Sequence, residues 1–149
     1  YIENPMFDLN VSSDKNAIDH YFCLREHINK ILKYFNNSIE FDLKKFYPIL
    51  YKKVHTMKRE RIFSSTVLNI NEGIKSGHFR KDLDAELIAK LQVGRLLYTL
   101  NPDNEIFTDS EVVNIELFDK VNEYHMHAIC TSKGIEYFKK QLNKVQNES

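Results

Sequence analysis

Glycine and proline are scarce in this chain, which has 4 Gly and 3 Pro among its 149 residues. Tight β-hairpin turns favour glycine, asparagine or proline, because these residues adopt the backbone angles that such turns need. A sandwich of many strands would need more of these residues than the chain contains. The scarcity therefore favours an all-α fold.

The chain also lacks net charge, with 21 basic and 21 acidic side chains, which argues against autonomous, non-specific binding to DNA. Its two cysteines are too few for the disulfide framework of a secreted domain. No signal peptide is recognisable, and no apolar run approaches the ~18 residues of a membrane-spanning helix. Together with the length, these absences predict one cytoplasmic domain without membrane contact.

Charge is nevertheless distributed unevenly along the chain. Residues 1–81 carry 14 basic and 9 acidic side chains, residues 82–123 carry 3 and 10, and residues 124–149 carry 4 and 2. A basic run from Lys44 to Arg61, opposed only by Glu60, could attract phosphate or an acidic partner. Such a run is more often the solvated side of a helix, and both interpretations stay open.

Hydrophobic residues recur at spacings of three and four from residue 14 onward, the period of an amphipathic helix. Residues 1–13 lack this period and predict an irregular lead-in to one helical domain over residues 14–149. Pro48 suits the first turn of a helix and Gly77 suits a helix end, while Asp84 and Thr108 can cap helix starts. We expect an antiparallel bundle of about six helices, over about 14–35, 39–47, 48–76, 84–100 and 109–130, with a last helix that carries Ile135, Phe138, Leu142 and Val145.

The third and fourth of these helices have informative apolar patterns. Six positions mark a buried side of the third helix: Leu50, Val54, Met57, Val67, Ile70 and Ile74. The fourth is apolar nearly all round, which predicts a helix covered on every side, either at the domain centre or partly by another subunit. Its polar stripe, Gln92, Arg95 and Thr99, either faces a ligand cavity or a dimer interface, or forms a strip of solvent or an internal salt bridge.

Motifs for catalysis are missing from the sequence. It contains no Gly-x-Ser-x-Gly elbow, no glycine-rich phosphate loop and no recognisable pair of catalytic carboxylates. Two sets of side chains have spacings that could place metal ligands on one helix face: His20, Cys23 and His27, and Glu123 with His127. Because no Glu-x-x-His motif accompanies them and the pairs are not duplicated, we predict no metal. Because the catalytic motifs are also missing, we predict neither a cofactor nor catalytic residues.

Two segments resemble the C-terminal region of TetR-type transcriptional regulators, in particular a branch from the Bacteroidetes. The first is Asp42–Pro48 (DLKKFYP), which in that branch joins a short helix to a long one. The second is Gly73–Arg80 (GIKSGHFR), a turn that leads to the next helix. The resemblance covers about residues 14–131 in helix order.

The resemblance implies a domain that dimerises and binds a small effector, joined to an N-terminal helix-turn-helix domain that binds operator DNA. Nothing before residue 14 has the pattern of three short helices, so we expect the sequence to be part of a longer protein. Contact with DNA would then occur only through the missing N-terminal domain. Effector binding would shift the operator affinity of that domain by population shift.

Family structures dimerise through two helices that correspond to about 84–100 and 109–131 here. The expected homodimer interface consists of Leu91, Leu96, Val113, Leu117, Val121 and Tyr124. The family's effector pocket lies among the first, third and fourth of the present helices. The residue pattern suggests an apolar ligand with an anionic or polar end. The residues expected to bind it are Phe22, Met57, Arg61, Arg95 and Tyr98.

Two other functions stay open at this point. One is a non-enzymatic adaptor that dimerises through the same helices but has no ligand pocket. The other is a helical-bundle enzyme or carrier that holds a metal or cofactor through His20, His27 or His127. A cavity would favour the regulator over the adaptor, and metal analysis of the purified protein would separate the enzyme from both.

Overall fold

The computed structural model describes residues 14–34 and 37–148, and this part of the chain contains helices and no β-strand. The all-α helical bundle predicted from the sequence is confirmed, whereas the predicted irregular lead-in, residues 1–13, lies outside the described residues. Seven α-helices are present there: α1 (Ala17–Leu32), α2 (Asn37–Phe46), α3 (Pro48–Lys75), α4 (Ala85–Gly94), α5 (Asp109–Val112), α6 (Ile115–Ile129) and α7 (Ser132–Asn147). A π-helical segment, Arg95–Thr99, continues α4, and a 3₁₀ turn follows over Pro102–Asn104.

Several helix ends lie where the sequence predicts them, because local side chains determine them. Asp84 accepts a hydrogen bond from the backbone N–H of Leu87 at 3.1 Å and caps α4. Thr108 and Glu111 form the predicted capping box at the start of α5. At the other end of α3, Gly77 adopts a φ of 78°, the left-handed conformation that ends a helix at little steric cost to glycine.

The predicted fifth helix, 109–130, is wrong as a single element, because the chain breaks between α5 and α6. The side chain of Asn114 accepts a hydrogen bond from the N–H of Glu116 at 2.9 Å, which caps a new helix start. An asparagine side chain competes with a continuous helix for backbone hydrogen bonds, and at this position it caps a new helix instead. Val113 therefore lies in the turn and not on the helical stripe that its spacing predicts.

The fourth helix also differs from its prediction. Beyond Gly94 the turns widen to π geometry, and the N–H of Leu100 donates to the carbonyl of Arg95 at 3.0 Å. Ala89 is its fully buried residue, whereas Leu87, Leu91 and Tyr98 are exposed. The fourth helix therefore does not lie at the centre of the described domain, and its apolar outer side is exposed.

The core lies where α1, α6, α7 and the end of α3 meet. The rings of Tyr21 and Phe22 pack on that of Phe138, with centroids 5.5 and 5.6 Å apart, and the ring of Phe118 stacks on Tyr21 at 5.9 Å. On α3, the expected burial holds only towards the C-terminal end, where Ile70 is fully buried. Leu50 and Met57, which the same pattern places on the buried side, are exposed, because the first half of α3 extends past this core.

A turn after α3 joins the end of that helix to α6 and α7. The N–H of Arg80 donates to the carbonyl of Ile129, and the N–H of Thr131 donates to that of His78, both at 2.9 Å. These two bonds seat the fully buried ring of Phe79 directly against Gly73. A Cβ at position 73 would overlap that ring, so the close approach requires glycine.

We predict that Gly73→Ala lowers the free energy of unfolding by about 1–3 kcal/mol, because the buried Phe79 ring must move. Urea unfolding measures the change. Asn71→Ala, on the exposed side of the same helix, is the control and should stay within about 0.5 kcal/mol of wild type. Adding Phe79→Leu should make the double variant less unstable than the sum of the two single changes. A Gly73→Ala protein as stable as wild type would contradict this packing.

Candidate ligand-binding site

A cavity of about 480 Å³ opens between the end of α1, α2 and the first half of α3. This volume is within the range of roughly 300–1,000 Å³ that small-molecule sites have. Its walls are mainly apolar and aromatic. The lining residues are Lys30, Ile31, Tyr34, Ile39, Glu40, Leu43, Tyr51, Val54, His55 and Lys58.

Helical spacing explains why these residues share one cavity. On α2, Ile39 and Leu43 are four residues apart and therefore lie on one face. On α3, Tyr51, Val54 and Lys58 follow at spacings of three and four and form the facing wall. Pro48 begins α3 directly after α2, so the two helices pack against each other as consecutive elements.

Basic side chains outnumber acidic ones around this cavity. Lys58 is partly buried and makes no hydrogen bond or salt bridge within the described part of the chain. Lys30 is largely exposed and its ammonium lies 2.9 Å from the carboxylate of Glu26. The ammonium of Lys44 lies 5.8 Å from the centroid of the Tyr51 ring, and Glu40 supplies the one carboxylate among the lining residues.

None of the five side chains expected to bind a ligand lines this cavity. Phe22 packs in the core, 4.9 Å from the Tyr21 ring centroid. Met57 and Arg61 lie on the exposed surface of α3, and Tyr98 is 61% exposed on the π-helical segment. The apolar spacing of Ile39 and Leu43 on α2 was the sequence signal that could have located the cavity.

Arg95, the fifth expected residue, connects the π-helical segment to α6. Its Nη1 donates to the carbonyl of Val121 at 3.1 Å and its Nη2 to Oδ1 of Asn122 at 3.2 Å, while its Nε has no partner. Burial lowers the pKa of Arg95 to about 10. Of the arrangements considered for the polar stripe of the fourth helix, an internal contact is closest to the position of Arg95. The guanidinium contacts a backbone carbonyl and a side-chain amide, however, and not the carboxylate of a salt bridge.

An ion pair that sequence reasoning missed holds α1 to α6. Arg25 donates from Nε and Nη2 to the two carboxylate oxygens of Asp119, at 2.6 and 2.7 Å. This bidentate geometry is the strong form of a salt bridge, and the hydrogen bond to Asp119 raises the pKa of Arg25. Since 94 residues separate the two partners, no local spacing rule could have paired them.

Three of the side chains considered as metal ligands, Cys23, Glu123 and His127, make contacts that involve no metal. Sγ of Cys23 accepts a hydrogen bond from Lys15 Nζ at 3.0 Å, and Nε2 of His127 lies 3.9 Å from the carboxylate of Glu123. Within residues 14–34 and 37–148, no group of three or more His, Cys, Asp or Glu side chains is placed to hold a metal ion. In that same part of the chain, no helix combines the length and apolar character needed to cross a bilayer.

The side chains expected at a dimer interface differ in exposure. Leu91 on α4 is 61% exposed and Tyr124 on α6 is 80% exposed. Val113 is exposed in the turn before α6. Leu96, Leu117 and Val121 are partly buried within the subunit.

The burial of His125 generates a prediction about pH. Burial, together with the nearby charge of Arg95, lowers the pKa of His125 to about 4, compared with about 6.5 in an unfolded chain. Between these values the unfolded chain binds more protons, so stability should rise with pH through this window, by at most about 1.4 kcal/mol per pH unit from this residue.

His125→Gln should flatten the dependence of unfolding free energy on pH between about 4.5 and 6.5. Urea unfolding at a series of pH values measures it, with His127→Gln at an exposed position of α6 as the matched control. If His125→Gln keeps the full wild-type slope, His125 is not buried in its neutral form.

Comparisons with known proteins do not identify the chain: no protein-family model, curated protein or solved structure matches it.

Proposed function

We propose that this chain is the ligand-sensing and dimerisation domain of a TetR-type transcriptional regulator. The observation that carries the proposal is the apolar cavity among α1, α2 and α3, which has the size and lining of a small-molecule site. The cavity favours an effector domain over an adaptor that merely dimerises. Its lining is mainly apolar, so binding is the activity that it supports best.

The two segments that resemble the family have clear structural roles, which supports the proposal. Asp42–Pro48 spans the junction of α2 and α3, whose facing sides form two walls of the cavity. Gly73–Arg80 forms the turn that seats Phe79 in the core and bonds α3 to α6. Both segments therefore position helices, and Leu43 in the first of them also lines the cavity.

The open apolar side of α4 supports the dimerisation part of the proposal. Leu87, Leu91 and Tyr98 on the helix and its π-helical continuation are all exposed, as is Tyr124 on α6. Leu87 and Leu91 are four residues apart and therefore share one face of α4, and exposed apolar side chains that share a face commonly mark a protein interface. A second copy of the chain would cover them, and two of them, Leu91 and Tyr124, are among the interface residues that the family resemblance implies.

In the proposed regulator, the effector acts by population shift. A ligand in the cavity contacts three helices at once, so it favours whichever arrangement of α1, α2 and α3 fits it best. Its differential affinity for two such arrangements would change the operator affinity of the helix-turn-helix domains. DNA contact would occur only through those domains, in the cytoplasm.

Leu91→Glu is expected to convert a dimeric protein into a monomer, because a carboxylate would be buried in an apolar interface. Sedimentation velocity over a wide range of concentration measures the state. Leu68→Glu is the matched control, since Leu68 is 62% exposed, almost as much as Leu91, but belongs to α3 and not to the helices of the proposed interface. Wild-type protein that is monomeric at every concentration would contradict the dimer.

Leu43→Trp tests the cavity, because the indole would fill the space between α2 and α3. Amphipathic ligands at a hundredfold excess over their Kd should stabilise wild type by about 2.7 kcal/mol, or about 5–10 °C in Tm. The same ligands should not stabilise Leu43→Trp, whereas Leu68→Trp should respond like wild type. Equal responses from all three proteins would rule out the cavity as the binding site.

A further inference from the structure

The chemistry of the cavity narrows the class of ligand that it can hold. Ile31, Ile39, Leu43 and Val54 supply aliphatic contacts, and the Tyr51 ring adds an aromatic one. A ligand that covers these side chains must be apolar over most of its surface. Sugars, nucleotides and other polar molecules would leave their own hydrogen-bonding groups unpaired against these walls.

One of the two lysines that line the cavity has no ion-pair partner among the described residues. Lys58 is partly buried and without a counter-charge in the described residues, whereas the other lining lysine, Lys30, is already paired with Glu26. Glu40, the acidic lining residue, is exposed on α2. A neutral ligand would leave Lys58 unpaired, and a cationic one would be repelled.

We infer that the cavity binds an amphipathic monocarboxylate, with an aliphatic or aromatic body between α2 and α3 and its carboxylate paired with the ammonium of Lys58. The inference rests on the proposed ligand-sensing function, which it makes specific. Tyr51, Val54 and Lys58 follow one another along a single face of α3. The apolar body therefore lies along Tyr51 and Val54, and the anionic end lies at Lys58, one turn further along the helix.

Three ligands with the same ten-carbon chain test the charge: decanoate, decanol and decylammonium. Isothermal titration should give the order decanoate, decanol, decylammonium from tightest to weakest, at concentrations below the critical micelle concentration of the two ions and below the aqueous solubility of decanol. Lys58→Met keeps the aliphatic stem and removes the charge. It should weaken decanoate binding about tenfold or more and leave decanol within about twofold.

Lys53→Met is the matched control, since Lys53 lies exposed on the same helix outside the cavity.

A series of carboxylates from hexanoate to decanoate tests the apolar part of the cavity without any substitution. Affinity should rise about fourfold for each added CH₂, as long as the added carbon contacts the apolar side chains of the cavity. Leu43→Trp should abolish this gain, and circular dichroism confirms that each variant is folded.

The possible failures are distinguishable from one another. If decanoate and decanol bind equally, or if Lys58→Met does not alter decanoate affinity, the carboxylate assignment is overturned while the cavity of the proposed function stands. If no member of the series binds, both the assignment and the proposed ligand site are overturned. Binding that Leu43→Trp leaves unchanged would be adsorption elsewhere on the surface, and would also overturn the inference.

Discussion

The seating of Phe79 against Gly73 is the contact on which the arrangement of the helices depends. It fixes the C-terminal end of α3 to the core, together with the two backbone hydrogen bonds between the following turn and the end of α6. Since α3 has 28 residues, or roughly 42 Å of helix, its first half extends well beyond that anchor. None of the described residues from Ser38 to Arg61 is fully buried.

This asymmetry divides the domain into a packed end and an open end. At the packed end the aromatic cluster around Phe138 and the Arg25–Asp119 pair hold α1 to α6 and α7. At the open end α1, α2 and α3 meet around the cavity. Because α1 and α3 run through both ends, a ligand at the open end acts on helices whose far ends are fixed. In the proposed regulator, this arrangement lets a small change at the cavity alter the position of α2 relative to the core.

Features that local side chains determine could be predicted from the sequence. Gly77, Asp84 and Thr108 end or begin helices through their own backbone angles or hydrogen bonds, so their positions agree with the structure. The break at Asn114 was missed, because an asparagine within an apolar period can either continue a helix or cap a new one. The spacing of the apolar residues does not predict the π-helical segment that follows Gly94.

The candidate site was harder to predict, because it depends on contacts between distant residues. Spacing on α3 places Leu50, Val54 and Met57 on one side, but it cannot show where the core along that side ends. Consequently, a residue expected in the interior, Met57, is exposed, while Val54 lines a cavity. Arg95 was recognised as unusual from its position on an apolar helix, yet its partners on α6 come from long-range packing.

Hydrogen–deuterium exchange with and without saturating decanoate tests the central claim most directly, because it locates the ligand without any substitution. The account predicts slower exchange in three segments: the end of α1, all of α2 and the first half of α3. The turn around Phe79 should be unaffected, as it is already fixed to the core. Slower exchange confined to α6 and α7, or no change in the α2 and α3 segments, would contradict a ligand site in this cavity.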